Sequence, residues 1–239
     1  MDNPKFSLVI PTYNEEGNIK TLLETTSRVL KAIPISFELI IVDDNSQDQT
    51  RPIIRELQKT NSEITLIERD NERGLATALI CGYNASHGRY LGAMDADLAH
   101  NPKYLPEMIE LLDLDKTDFV IGSRYVRGAK FEGKPFLNRM ASLIGQFLIK
   151  IILELNVKDT SNNYRVFKRE IWEKIKNQLH PDGNIMLTEI VHRASENNFR
   201  IREIPIHYIE RRLGKSKLSV SKETLKFFKN IWKIKFDKK

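Results

Sequence analysis

The strongest constraint in this 239-residue sequence is a set of short apolar runs too uniformly greasy to be half-exposed strands. Residues 6–10 (Phe-Ser-Leu-Val-Ile) and 37–42 (Phe-Glu-Leu-Ile-Ile-Val) are rich in β-branched residues and stop at polar clusters. Strands of this kind are covered on both faces, which is the property of a parallel sheet. Helical periodicity at residues 19–30, 50–60, 75–86 and 103–112 separates these runs from further strands at 64–68, 90–94 and 118–122. Alternation of strand and helix predicts an α/β chain with a Rossmann-like, mostly parallel central sheet and helices on both faces.

In such sheets ligands sit beyond the carboxyl ends of the strands. The residues there are Pro11 to Glu15 after the first strand, Asp43 and Asp44 after the second, and Asp95-Ala96-Asp97 after the fourth. On an extended backbone Asp95 and Asp97 share a side. Two carboxylates so placed make a hard-oxygen site for Mg²⁺ or Mn²⁺, a usual means of holding a diphosphate. Taken alone, Asp-x-Asp serves equally well as a solvated turn; the polar clusters at neighbouring strand ends favour the site. No G-x-G-x-x-G follows the first strand and no G-x-x-x-x-G-K-[ST] occurs, which removes the dinucleotide and P-loop phosphate cradles.

Ser123-Arg124-Tyr125 adds a cation at the same edge, and residues 127–135 read as a glycine-rich, basic, mobile loop. The apolar run at 143–155 is broken by Gly145, Gln146, Lys150 and Glu154, so it predicts an amphipathic helix on a core or an interface. Residues 199–206 alternate as a strand. Arg211, Arg212, Lys215 and Lys217 then gather around Gly214, and residues 222–239 form a basic amphipathic pattern with Phe228 and Trp232. The formal charge of +6 points to anionic partners. A polyanion such as nucleic acid is not expected, because the grouped carboxylates would repel it. The single cysteine, Cys81, excludes an internal disulfide and suits a reducing compartment. The N-terminal residues lack the pattern of a signal peptide.

Ile10-Pro11-Thr12-Tyr13-Asn14-Glu15, Val42 to Ser46, Met94 to Leu98, Gly122 to Tyr125 and Arg211 to Lys217 together resemble the family 2 glycosyltransferases, in particular the branch that mannosylates polyprenyl phosphates. The resemblance covers nearly the whole chain. It implies a GT-A domain at 1–217 with a basic tail at 218–239, and inverting transfer of mannose from GDP-mannose to a dolichyl or polyprenyl phosphate. By motif, Pro11, Tyr13, Glu15, Val42 and Asp44 hold the nucleoside, and Asp95, Ala96 and Asp97 meet the diphosphate. Asp95 and Asp97 would bind the divalent metal. Asp97, Arg124, Arg211 and Lys217 would serve catalysis, with Arg211 and Lys217 also on the nucleotide sugar and Arg124 and Arg139 on the acceptor phosphate. Arg165 and Glu189 match family positions and are expected to serve structure. Two departures stand out: Ala99 where many members carry a metal-contacting Gln, and Asn138-Arg139 where some carry Arg-Lys. A UDP-sugar donor, and more remotely a non-catalytic basic binding module, remain open at this level. Docking on a cytoplasmic membrane surface, with or without an anchoring partner, is the expected location.

Overall fold

In the computed structural model, residues 3–133, 136–183, 185–209 and 230–236 are described. The expected strands form β1 (Phe6–Thr12), β2 (Phe37–Asp43), β3 (Ile64–Glu68), β4 (Tyr90–Ala93) and β5 (Phe119–Ser123). Between them lie α1 (Ile19–Lys31), α2 (Thr50–Gln58), α3 (Leu75–Ala85) and α4 (Leu105–Asp113). α4 begins later than its periodicity implied, because Pro102–Tyr104 forms a 3-10 turn capped by the Asn101 side chain on the Lys103 amide. The second half adds β6 (Lys130–Glu132), α5 (Phe136–Ile152), β7 (Arg165–Lys168), α6 (Arg169–Ile175), α7 (Ile185–Glu196), β8 (Ile201–Pro205) and β9 (His207–Ile209).

The seven-stranded sheet runs β3-β2-β1-β4-β7-β5-β8. Every pairing is parallel except the two made by β7, which lies antiparallel between β4 and β5. β7 therefore brings its amino end to the edge where β1, β2, β4 and β5 end. That reversal places residues 159–165 beside Asp95.

Strand periodicity divides the core. Phe6, Leu8 and Ile10 of β1 join α1 and α4 on one face, where Ile19, Leu22, Leu23 and Leu30 form the buried stripe of α1. Val9 faces the other side, toward α3, α6 and α7. The helical segment 230–236 lies there too, with Ile231 and Ile234 buried alongside Ile149 and Leu153. The expected division between 217 and 218 falls outside the described residues.

Two expectations differ from the structure. The loop at 127–135 contains a strand: Gly128, at φ 94°, turns the chain, and β6 pairs with β9 in a two-stranded sheet with Phe131 edge-on to Tyr208. The strand expected over 199–206 ends at Pro205, and the chain resumes at His207 in that second sheet.

Gly82 lets α3 approach the sheet, since a Cβ there would sit 2.3 Å from Val9 Cγ1 and 3.1 Å from Val42 Cγ2. Alanine is the better helix former by about 1 kcal/mol, but overpacking a core costs about 1–3 kcal/mol. Gly82→Ala is therefore expected to lower the urea midpoint of unfolding. A midpoint equal to or above the parent's would show that the sheet gives way freely.

Candidate functional site

The edge formed by the carboxyl ends of β1, β2, β4 and β5 collects carboxylates, and three of those among the described residues, Asp43, Asp44 and Asp159, are tied to arginine. Asp43 is fully buried at the end of β2, where it accepts from Arg51 Nε, the Ser46 amide and hydroxyl, and Thr12 Oγ1. Asp44 accepts from Arg69 through Oδ1 and from the Gly74 amide through Oδ2, at 2.7 Å. Asp44, expected to hold a nucleoside, thus has both oxygens bound to the protein and fixes the loop ahead of α3. Pro11 and Val42 face each other in register on β1 and β2, Pro11 half-buried and Val42 wholly buried.

After β1 the chain turns at Asn14, whose φ of 55° is held by hydrogen bonds with Ser46 and Gln47. Tyr13 projects outward, 44 % exposed, with the Arg73 guanidinium 4.7 Å from its ring centre. This is a flat cation-capped surface of the kind a nucleobase stacks on. Glu15 is buried, accepts from Asn18 Nδ2 at 2.8 Å, and donates its amide to Thr50.

Asp95 and Asp97 differ from the buried aspartates in being partly exposed. Asp95 Oδ1 accepts from the side-chain amide of Asn163 at 2.9 Å, and Asp97 Oδ1 from the Ala99 backbone at 3.1 Å. Ala96 between them is buried, and Leu98, at φ 62°, reverses the chain. Beneath lies His100, whose Nδ1 accepts from the Asp95 amide at 3.4 Å and stands 3.7 Å from Asp95 Oδ2. Its ring stacks on Tyr164 with centres 5.0 Å apart. Burial lowers the pKa of His100 against the opposing pull of Asp95 and Asp97, so the ring stays neutral. Its Nε2 and the Asn163 Oδ1 are buried without a hydrogen-bond partner among the described residues.

Arg124 follows β5. Its Nε and Nη2 grip Asp159 at 2.8 and 2.7 Å, and its amide donates to the same carboxylate at 2.9 Å. The rings of Tyr125, Phe131 and Tyr208 surround the guanidinium at 5.4 to 5.9 Å. Burial works against its charge, but the hydrogen bonds and field of fully buried Asp159 outweigh that and raise its pKa. Arg124, expected on the acceptor phosphate, is thus engaged by an internal carboxylate. Arg139 is exposed on α5, where its positive charge reaches Tyr125. Arg211 and Lys217 lie outside the described residues.

Arg165 and Glu189, expected to serve structure, are both buried and bonded within the protein. Arg165 is wholly buried and donates to the carbonyls of Thr160, Asn162 and Leu187, with its pKa pushed down by burial to about 10. Glu189, also buried, accepts from the amide and Nδ1 of His180 at 2.8 Å. The sequence reading passed over Asp159, Asn163 and His100. The polar run 159–163 was visible, but only the reversal of β7 gives it a place at this edge.

Two partly exposed aspartates with a neutral imidazole behind them offer the hard, anionic oxygens that Mg²⁺ and Mn²⁺ prefer. Among the described residues no three carboxylate, imidazole or thiol groups converge on one point. A cation here would rest on Asp95 and Asp97, with its remaining ligands from substrate and water. A separate concavity of about 840 Å³, lined by Arg89, Lys168, Arg169 and Glu173, lies at the opposite end of the sheet.

With this geometry in place, the class of protein follows from a match of residues 7–176 to the model of glycosyl transferase family 2. The chain belongs to that family, and its sheet with the crossing β7 is the GT-A fold. More particularly, it is 31 % identical over 234 residues to the dolichol-phosphate mannosyltransferase of Pyrococcus furiosus, a match that spans 96 % of this chain and 63 % of the relative. It is 32 % identical to the polyprenol monophosphomannose synthase of Mycolicibacterium smegmatis, over 90 % of this chain and 81 % of that protein. The undecaprenyl-phosphate mannosyltransferase of Micrococcus luteus is 33 % identical, over 88 % and 86 % respectively. Among solved structures, glucosyl-3-phosphoglycerate synthase from Mycobacterium tuberculosis with Mn²⁺, UDP and glucosyl-3-phosphoglycerate superposes at TM-score 0.70 and 16 % identity, covering 97 % of this chain and 78 % of that one. A complex of the same enzyme with Mg²⁺ and UDP gives 0.70, covering 95 % and 79 %.

The Asp159–Arg124 pair yields a prediction. Removing one member of a buried ion pair costs about 3–5 kcal/mol, whereas exchanging both for apolar residues is often neutral. Asp159→Ala is expected to lower stability by about that amount in urea unfolding, and the double change Asp159→Leu with Arg124→Met to recover most of it. A single variant as stable as the parent would show that the pair does not organise this edge.

Proposed function

We propose that this chain is an inverting mannosyltransferase that moves mannose from GDP-mannose to a dolichyl or polyprenyl phosphate. The observation carrying the proposal is the pair Asp95 and Asp97, one residue apart and partly exposed at the carboxyl edge of the sheet. Three relatives of similar identity whose names share the polyprenol-phosphate mannosyl theme support the substrates.

The chemistry follows from charge. A phosphate monoester has a second pKa of about 6, so the acceptor arrives largely dianionic and needs no base to deprotonate it. The difficult requirement is the negative charge that builds on the departing diphosphate. When bound, Mg²⁺ or Mn²⁺ supplies positive charge to those oxygens, and Asp95 and Asp97 are the residues that would hold it. Tyr13 under Arg73 offers the base a stacking surface, with Pro11 and Glu15 beside it and the buried Val42 and Asp44 supporting that wall from behind. Arg211 and Lys217 are assigned to the diphosphate, and Arg124 and Arg139 to the acceptor phosphate. Asp159 fixes the orientation of Arg124.

The acceptor's lipid tail requires a membrane surface. α5 carries Met140, Ile144, Phe147, Leu148 and Ile151 on an exposed apolar stripe, while Ile149 and Leu153 hold that part of the chain to the core. On the segment 230–236, Trp232 and Phe236 stack at 5.5 Å, both more than half exposed, and Lys235 reaches Glu154 beyond the end of α5 at 2.8 Å. Among the described residues no helix is long and apolar enough to cross a membrane. We infer that these two faces lie on the cytoplasmic membrane surface, where basic residues meet anionic headgroups. A membrane-anchoring partner would add to this attachment.

Incubation of the protein with Mn²⁺, radiolabelled GDP-mannose and a short polyprenyl phosphate is expected to move label into the lipid phase. Label transferred instead from UDP-glucose or UDP-GlcNAc would replace the donor assignment. Asp97→Ala should lower turnover by at least ~10²-fold, the scale of losing one electrostatic contact in a transition state. Near-normal turnover by the folded variant would remove the metal assignment. For the membrane, Phe147→Ser with Trp232→Ser is expected to release the protein from anionic phosphatidylglycerol vesicles in flotation. Undiminished flotation would place the contact elsewhere.

A further inference from the structure

We propose that Asn163 is a positioning residue for the cation site: its amide fixes the rotation of the Asp95 carboxylate so that the other oxygen is presented to the metal. This rests on the reading of Asp95 as a cation ligand. The amide nitrogen donates to Asp95 Oδ1 at 2.9 Å across the β4–β7 junction, a contact between residues far apart in sequence. Asp95 pairs with no lysine or arginine among the described residues, and its Oδ2 stands 3.7 Å from His100 Nδ1. A neutral donor on one oxygen holds the group still while leaving its full negative charge for a cation; an arginine there would have cancelled it. Hydrogen-bonded partners of this kind orient carboxylate ligands and tune the affinity of metal sites.

The turn that carries Asn163 does not depend on it. Asn162 donates its side-chain amide to the Gly122 carbonyl, and Arg165 clamps the Asn162 carbonyl. The Tyr164 hydroxyl reaches the Asn101 carbonyl at 2.9 Å. Residues on both sides thus fix the backbone, and the Asn163 side chain is left to serve Asp95. Its position is also unfavourable for packing alone. Asn163 is 2 % exposed and its Oδ1 is buried with no partner among the described residues, a cost that an apolar side chain of the same shape would avoid. The site lacks a side-chain oxygen at Ala99, so the orientation of Asp95 carries more of the cation's hold than it would with a third protein ligand.

The test uses the full chain and Mn²⁺ with GDP, following free Mn²⁺ by its electron paramagnetic resonance signal. Asn163→Leu, close in shape but without hydrogen-bonding groups, is expected to raise the Mn²⁺ dissociation constant about tenfold to a hundredfold. Its metal-free thermal transition and its GDP binding in EDTA should stay close to the parent's, which a merely structural role for Asn163 would not allow. If Asn163→Leu does not fold, Asn163→Ala is read in the same way. A folded variant that binds Mn²⁺ within twofold of the parent would overturn the proposal. Asp95→Ala, measured alongside, separates the failures. Loss of Mn²⁺ there with none in Asn163→Leu rejects the role of Asn163 alone, whereas an unchanged Asp95→Ala rejects the cation site and this inference with it.

Discussion

The arrangement depends on how negative charge is distributed along one edge of a parallel sheet. Aspartates gather where β1, β2, β4 and β5 end, and Asp43, Asp44 and Asp159 are bonded to arginines at close range. Those pairs are internal struts: Asp43 with Arg51 and Asp44 with Arg69 hold the loops around the first two strands, and Asp159 with Arg124 holds the far side. Asp95 is different because its partner is an amide. A carboxylate supported by a neutral donor keeps its charge, and a charge kept at an accessible strand end is what makes a divalent cation the natural complement.

β7 makes that distribution possible. An all-parallel sheet would bring only carboxyl ends to the edge, and residues 159–163 would lie elsewhere. Inserting one antiparallel strand between β4 and β5 turns an amino end toward the site, with Asp159 beside Arg124 and Asn163 beside Asp95. The insertion is held by Arg165 at the first position of β7, an arginine buried completely among backbone carbonyls. Three carbonyls are a poor substitute for a carboxylate, and burial depresses its pKa accordingly, yet the group remains charged at neutral pH. A residue buried beneath the edge can thereby matter to it: Arg165 fixes the turn from which both neighbouring site contacts are made.

Much of this was legible in the chain. The β-branched runs of β1 and β2 carry no polar alternation because both faces are covered, and the polar residues that end them mark the ligand edge. The stripe of Ile19, Leu22, Leu23 and Leu30 is sufficient to set α1 against one face. Asp95 and Asp97 stood out because an apolar run stopping at two acids needs a reason. What escaped was long-range. Arg165-Val166-Phe167-Lys168 is too short, and too charged at its ends, to signal a strand sandwiched between two others. Asp159 and Asn163 gained meaning only from a pairing with no local signature. Arg124 read as a free cation because its partner lies 35 residues on, on the other side of α5. The short strand at Lys130–Glu132 was hidden by the glycines around it, since its partner comes after β8.

The central claim is that Asp95 and Asp97 hold a divalent ion through which the nucleotide sugar is gripped. Calorimetric titration of GDP-mannose into the protein, once with Mn²⁺ and once with EDTA, addresses it most directly. Binding at least tenfold tighter with Mn²⁺, with the difference abolished in Asp95→Asn, is the predicted result. Equal affinity in the two titrations, or a Mn²⁺ effect that persists without the Asp95 charge, would contradict it.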